Sequence, residues 1–247
     1  MEAASETLEI DAPAGKMSAA FAAPAGTGTK LPAVLVIQEE FGLNRFIRGA
    51  VRSLAEQGYV ALAPDLYYRE SVGEISYSDA DRAIDMVMRT IALSEAPDER
   101  VKDERVVADL GAALDALRTH PRVNASRVGA LGFSMGGRLA FLLGCRRPSE
   151  ISAVVSYGAA RMVPVLEESV ALEAPLLLIF AGRDAATPRP QIDRIQAELS
   201  YRDARYEIQS YADADAGFFC DERPGHDPEA AADGRKRMQE WFARYLA

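Results

Sequence analysis

Apolar positions in this chain alternate between two spacings. Short, nearly continuous runs occur at Ala33–Ile37 (AVLVI), Tyr59–Ala63, Val128–Phe133, Ile151–Tyr157 and Pro175–Ala181 (PLLLIFA). Such runs predict strands buried on both faces of a parallel sheet. Between them, apolar residues recur every three or four positions. That spacing predicts helices over Asn44–Gln57, Asp79–Leu93, Asp98–Thr119, Arg138–Arg146, Gln191–Leu199 and Pro228–Leu246. Asn44 is placed to cap the first helix and Gly58 to stop it. Ahead of the first run, Thr7–Ile10 alternates, Pro13-Ala14-Gly15 turns and Met17–Ala22 returns, which predicts a hairpin. Ala23–Lys30 is a loop by composition, Arg205–Tyr211 is a final strand, and Pro64-Asp65-Leu66-Tyr67 opens a long irregular stretch.

Strand–helix alternation of this kind predicts the α/β class: a mostly parallel central sheet with helices on both faces. The 247 residues fit one domain, 1–247, with no internal repeat or linker. The hydrophobic share of 49% is that of a globular chain. A net charge of −9 argues against a nucleic-acid surface and against adsorption to anionic membranes, and its main consequence is solubility. No run reaches the ~18 apolar residues of a membrane span. The start of the chain lacks the basic-then-apolar pattern of a secretion signal. Cys145 and Cys220 are too few for a disulfide framework, so reduced thiols in a cytoplasmic protein are expected.

Chemistry enters at Gly132-Phe133-Ser134-Met135-Gly136-Gly137. The spacing G-x-S-x-G between an apolar strand and a helix fits a sharp turn that lifts a serine hydroxyl above the sheet. The glycines let neighbouring backbone pass, and the helix N-terminus faces the developing oxyanion. In this architecture the acid and then the base follow the nucleophile in chain order. Asp184, in Gly182-Arg183-Asp184 just past a strand end, suits the acid; the alternative is a turn-initiating aspartate. The base is harder to place, because the chain has only His120 and His226. His120 precedes the serine. His226 follows Asp184 but lies in Pro224-Gly225-His226-Asp227-Pro228, which reads as a turn.

Several segments together resemble the dienelactone hydrolase family, across nearly the whole chain. They are Gln38-Glu39-Glu40-Phe41-Gly42-Leu43-Asn44, Ala63-Pro64-Asp65-Leu66-Tyr67, the Gly132–Gly137 elbow, Gly182-Arg183-Asp184 and the Tyr211–Pro224 stretch. The resemblance implies an α/β-hydrolase fold with Ser134 as nucleophile and Asp184 as acid. It also implies that Glu39 contacts the resting nucleophile and that the backbone of Glu40 and Met135 supplies oxyanion N–H groups. Two positions depart from the family pattern. Ser134 stands where the family usually has cysteine, and Ala216 stands where it has the triad histidine. A hydroxyl, unlike a thiol, is essentially never ionised unaided. Loss of a triad histidine in a serine protease costs on the order of 10⁶ in kcat.

A very slow serine esterase or lactonase is therefore expected, acting on a small-molecule ester or lactone. The other reading is a binding protein on the same scaffold that does not hydrolyse its ligand. Three accounts of Ala216 stand open: an engineered replacement of histidine, a natural loss of hydrolysis, or His226 serving as base. The small anionic lactones implied by the resemblance would need a cationic clamp. Arg48, Arg82 and Arg223 are candidates, each with an ordinary surface arginine as the alternative, and Cys220 lies where one clamp residue would be expected. No ligand-spaced His/Cys/Asp cluster and no phosphate loop is visible, so neither metal nor cofactor is expected. The oligomeric state is not readable.

Overall fold

A computed structural model describes residues 2–26, 28–93 and 96–247. The chain opens with a hairpin, β1 (Ala3–Ala12) and β2 (Gly15–Pro24), closed at Pro13-Ala14 and in register from Ala3 opposite Pro24 to Ala12 opposite Gly15. The remaining strands are β3 (Leu31–Ile37), β4 (Val60–Pro64), β5 (Val123–Phe133), β6 (Ala153–Tyr157), β7 (Leu176–Ala181) and β8 (Tyr206–Tyr211). They form one sheet in the order β1-β2-β4-β3-β5-β6-β7-β8. Both pairings of β2 are antiparallel, and every pairing from β4 onward is parallel.

Among the described residues six helices accompany these strands: α1 (Arg45–Glu56), α2 (Ala80–Thr90), α3 (Pro97–Thr119), α4 (Met135–Arg146) and α5 (Arg189–Tyr201) between strands, and α6 (Pro228–Tyr245) after β8. The apolar runs explain how they divide. Successive side chains of a strand face opposite sides. Along β3, Ala33, Leu35 and Ile37 join a core with Leu110 and Leu114 of α3, Leu139 and Leu143 of α4, and Ile195 of α5. Val34 and Val36 face the other way, into a core with Ile47, Val51 and Leu54 of α1 and Trp241 and Phe242 of α6. A strand covered on both faces has no polar side to show, which is why the central runs are continuous rather than alternating.

Several boundaries differ from the expectation: β1 begins at Ala3 rather than Thr7, β6 at Ala153 rather than Ile151, and α2 ends at Thr90 rather than Leu93. β5 begins at Val123 rather than Val128, with an irregular register against β3 between its two ends. α4 begins at Met135, directly after Ser134, rather than at Arg138. The irregular stretch after β4 holds a short 3₁₀ turn at Tyr68–Glu70, and two more lie at Pro148–Glu150 and Val163–Ala171. Among the described residues no helix is long and apolar enough to cross a membrane.

Candidate active site

The loops that carry chemistry all leave the C-terminal ends of parallel strands. β5 delivers Ser134. Its backbone has φ 50 and ψ −115, a region side chains other than glycine rarely occupy. The turn is held by its surroundings. The Ser134 N–H donates to the Tyr157 carbonyl at 2.7 Å, and the Ser134 carbonyl accepts from Gly137 N–H at 2.9 Å. The flanking glycines are a steric requirement. A Cβ on Gly132 would lie 1.9 Å from the Gly136 carbonyl oxygen, and one on Gly136 would lie 2.4 Å from the carbonyl oxygens of both Ile37 and Gln38. Farther along α4, fully buried Arg138 forms two hydrogen bonds with Asp103 of α3, at 2.8 and 2.6 Å, which ties the elbow helix to its neighbour.

A cavity of about 90 Å³ opens over Ser134 and is lined also by Asp184, Ala216, Glu40 and Arg223. Asp184 is half-buried after β7. Its Oδ1 accepts the Ala186 N–H at 2.8 Å, and burial raises its carboxyl above the ordinary range. Ala216 belongs to the loop after β8, which is anchored by the buried pair Phe218 and Phe219, while Ala216 itself is exposed. Three residues far apart in sequence thus share one small space, but the third offers only a methyl group. No side chain among the described residues hydrogen-bonds the Ser134 hydroxyl.

The segment after β3 lies under this cavity. Glu39 is fully buried: its Oε1 accepts from the Tyr77 hydroxyl at 2.6 Å and from Asn44 Nδ2 at 3.2 Å. Its Oε2 faces the Arg223 guanidinium at 3.1 Å. Burial first, and the neighbouring Glu40 second, push its pKa up to about 7; Tyr77, Arg223 and Asn44 pull the other way. Asn44 has two tasks, because its Oδ1 also caps α1 by accepting the Ile47 N–H at 3.0 Å. Gln38 accepts the Leu66 N–H at 3.1 Å, and Tyr67 donates to the Glu40 carbonyl at 2.9 Å, so the segments after β3 and β4 interlock. Among the described residues the Glu40 N–H has no partner, and Met135, as the first residue of α4, has no intrahelical acceptor for its own.

Of the candidate clamp residues, Arg223 alone lines the cavity. One of its terminal nitrogens serves both Glu39 and Glu40, the latter at 3.2 Å, and its guanidinium lies 5.2 Å from the Phe41 ring centroid. Arg48 and Arg82 are exposed on α1 and α2 and do not reach it. Cys220 is buried 3.2 Å from the Tyr77 hydroxyl. Since the phenol's single O–H is directed at Glu39, the thiol is the donor to the phenol oxygen. Burial also raises the thiol's pKa, which keeps it protonated.

His226 lies outside this cavity. It lines a second one between α1 and α6, behind Phe219. His120 follows α3 at the far end of β5 and packs on Phe21. Sequence reasoning missed Tyr77 and Asn44. Asn44 was visible as a cap and as the end of the Gln38–Asn44 segment but not as a partner of Glu39, and Tyr77 lies in the irregular stretch, where no periodicity marks it.

Comparison with known proteins agrees with this geometry. The model of the dienelactone hydrolase family matches residues 17–246. A Salmonella typhi protein provisionally named carboxymethylenebutenolidase is 34% identical, over 93% of this chain and 83% of its own length. The carboxymethylenebutenolidase of Pseudomonas putida is 29% identical over 90% of this chain and 91% of its own. A crystal structure from Klebsiella pneumoniae, provisionally assigned as a dienelactone hydrolase, superposes with a TM-score of 0.85 at 28% identity, covering 99% of this chain and all of the other. With an eight-stranded α/β-hydrolase sheet and an elbow serine above it, this chain belongs to the dienelactone hydrolase family.

Proposed function

We propose that this protein is a serine-dependent ester or lactone hydrolase whose general base is missing. The observation that carries the reading is the meeting of Ser134, Asp184 and Ala216 around one cavity, with the serine held in the strained elbow conformation. In this account the Ser134 oxygen attacks the carbonyl carbon of a small ester or lactone, and its proton passes to solvent water, slowly, because no base is at hand. The N–H groups of Glu40 and Met135 receive the oxyanion. The carbonyl C–O bond to the alcohol oxygen breaks and that oxygen takes a proton from water, the alcohol departing from an ester or staying tethered in an opened lactone; an acyl-enzyme remains on Ser134, and water releases it. The relatives named for cleaving carboxymethylenebutenolide make a lactone the first substrate class to test.

Asp184 is placed to orient and stabilise an imidazolium that the chain lacks. Among the described residues no histidine takes its place: His226 lines a different cavity, Arg223 is a permanent cation, and the carboxylates Asp184 and Glu40 line the cavity without a hydrogen bond to Ser134. Ala216 is also the observation that favours a second reading, in which the cavity retains a small carbonyl ligand without cleaving it. Reduced Cys145 and Cys220, both free and buried, accord with a cytoplasmic setting.

The test is hydrolysis of p-nitrophenyl acetate by this chain, by Ala216→His and by Ser134→Ala. Restoring the base is expected to raise the rate by at least about 10²-fold. The parent is expected to stand close to Ser134→Ala. No gain in Ala216→His would overturn the reading and leave ligand retention in its place.

A further inference from the structure

On the face of the sheet opposite α3–α5, α1 and α6 scarcely touch. Helices that share a sheet face ordinarily pack about 8–10 Å apart. Here small residues line the gap, Gly49 and Ala50 on α1 and Ala231 and Ala232 on α6. The result is a cavity of about 760 Å³, within the roughly 300–1,000 Å³ range of small-molecule sites. It is distinct from the cavity over Ser134, with Phe219 as the partition between them.

The floor is aromatic. Phe133 stacks on Tyr157 at 5.1 Å between ring centroids, meets Phe46 edge-on at 5.0 Å and lies 5.1 Å from Phe219. Offset and edge-on faces of this kind accept another ring. The rim is cationic although the chain carries a net charge of −9. Arg45, Arg235 and Lys236 line it, with His226 beside them, against the single acid Asp221. Arg45 is paired with Glu222, and Lys236 lies only loosely, at 3.9 Å, by Glu240. Arg235 makes no ion pair among the described residues.

One polar group in the floor is also without a partner. Tyr157 is 3% exposed, lines the cavity, and its hydroxyl makes no hydrogen bond among the described residues. Burial raises its pKa and keeps it protonated, so it can only be useful there as a donor or as a neutral acceptor. An apolar floor, an unpaired guanidinium and an unused phenol together describe the complement of a flat apolar anion.

We infer that the cleft between α1 and α6 is a binding site for a small aryl carboxylate, its ring on Phe46, Phe133 and Phe219 and its carboxylate between Arg235 and the Tyr157 hydroxyl. The site does not depend on turnover at Ser134. It does touch the same scaffold, since Phe133 precedes the nucleophile and the Tyr157 carbonyl holds its N–H.

The probe is 2-naphthylacetate, with 2-naphthylacetamide as its neutral counterpart, titrated by calorimetry into the intact chain. A Cβ on Gly49 would meet nothing within 4 Å, so Gly49→Phe fills the cleft without a backbone clash and favours helix over glycine. The anion is expected to bind at a single site, at least about tenfold tighter than the amide. Arg235→Gln should weaken the anion by about tenfold and leave the amide unchanged. Gly49→Phe, with thermal unfolding as a check that it is folded, should abolish both. No saturable binding, equal affinity for anion and amide, or binding that survives Gly49→Phe each overturns the proposal. The last outcome would move the ligand to another cavity, such as that over Ser134.

Discussion

The elbow after β5 and the loop after β8 meet at one cavity but are constrained in opposite ways. At the elbow, the backbone of one element occupies the space where side chains of the next would go. Gly132 and Gly136 face carbonyl oxygens at distances no Cβ tolerates, and Ser134 holds a strained φ because its N–H and carbonyl are both committed. In the loop after β8, the fold depends on Phe218 and Phe219, both buried, whereas Ala216 is exposed. Folding needs the two phenylalanines and makes no demand on position 216. A catalytic base there can therefore be absent while every structural feature of the loop remains. Chemistry that coincides with packing is protected by stability, and chemistry carried by one exposed side chain is not.

Three substitutions sharpen this contrast, from the largest effect to the smallest. Gly132→Ala is expected to destabilise the fold by about 3 kcal/mol or more in urea unfolding, because the added methyl meets backbone rather than a movable side chain. A loss under about 1 kcal/mol would mean the elbow yields easily. Next comes Glu39→Gln, read as stability against pH. The folded Glu39 has its pKa raised to about 7, so the folded state binds the proton more tightly than the unfolded chain. Its contribution is fully present below the ordinary carboxylate pKa and is lost as pH rises through about 7. The difference between parent and Glu39→Gln should therefore favour the parent at acidic pH and shrink toward pH 8; a difference independent of pH would contradict that. The smallest effect is Ala216→His on stability, expected within about 0.5 kcal/mol of the parent by thermal unfolding, since the position is exposed.

The same contrast explains what was legible in the sequence. The central strands are readable because each is buried on both faces and has no polar alternation to confuse it. The start of β5 is not: Asn124–Arg127 is partly exposed and pairs irregularly with β3, so the apolar run begins only at Val128. α4 was placed three residues late because Gly136 and Gly137 weaken helix propensity. Both are there for close contact, with the end of β3 and with Ser156 and Tyr157 at the end of β6, and this contact outweighs propensity. At the site, Ser134, Asp184 and Ala216 could be named because each sits in a local motif at a strand end. The Glu39–Tyr77–Asn44–Arg223 network could not, since it joins three segments whose meeting is a property of the fold. Arg48 and Arg82 satisfied the chemical requirement for a cation but stand on helix faces turned to solvent. Position on the right element says nothing of direction until the neighbouring layer is known.

The most direct test of the central claim is to find the acyl group itself. Ala216→His and the parent are each mixed with p-nitrophenyl acetate, quenched and digested, and the acetylated peptide is located by mass spectrometry. The account predicts acetylation at Ser134 in both, forming at least about 10²-fold faster in Ala216→His. Acetylation at another residue, or equal rates at Ser134 with and without the histidine, would contradict the claim that this is a serine hydrolase site lacking only its base.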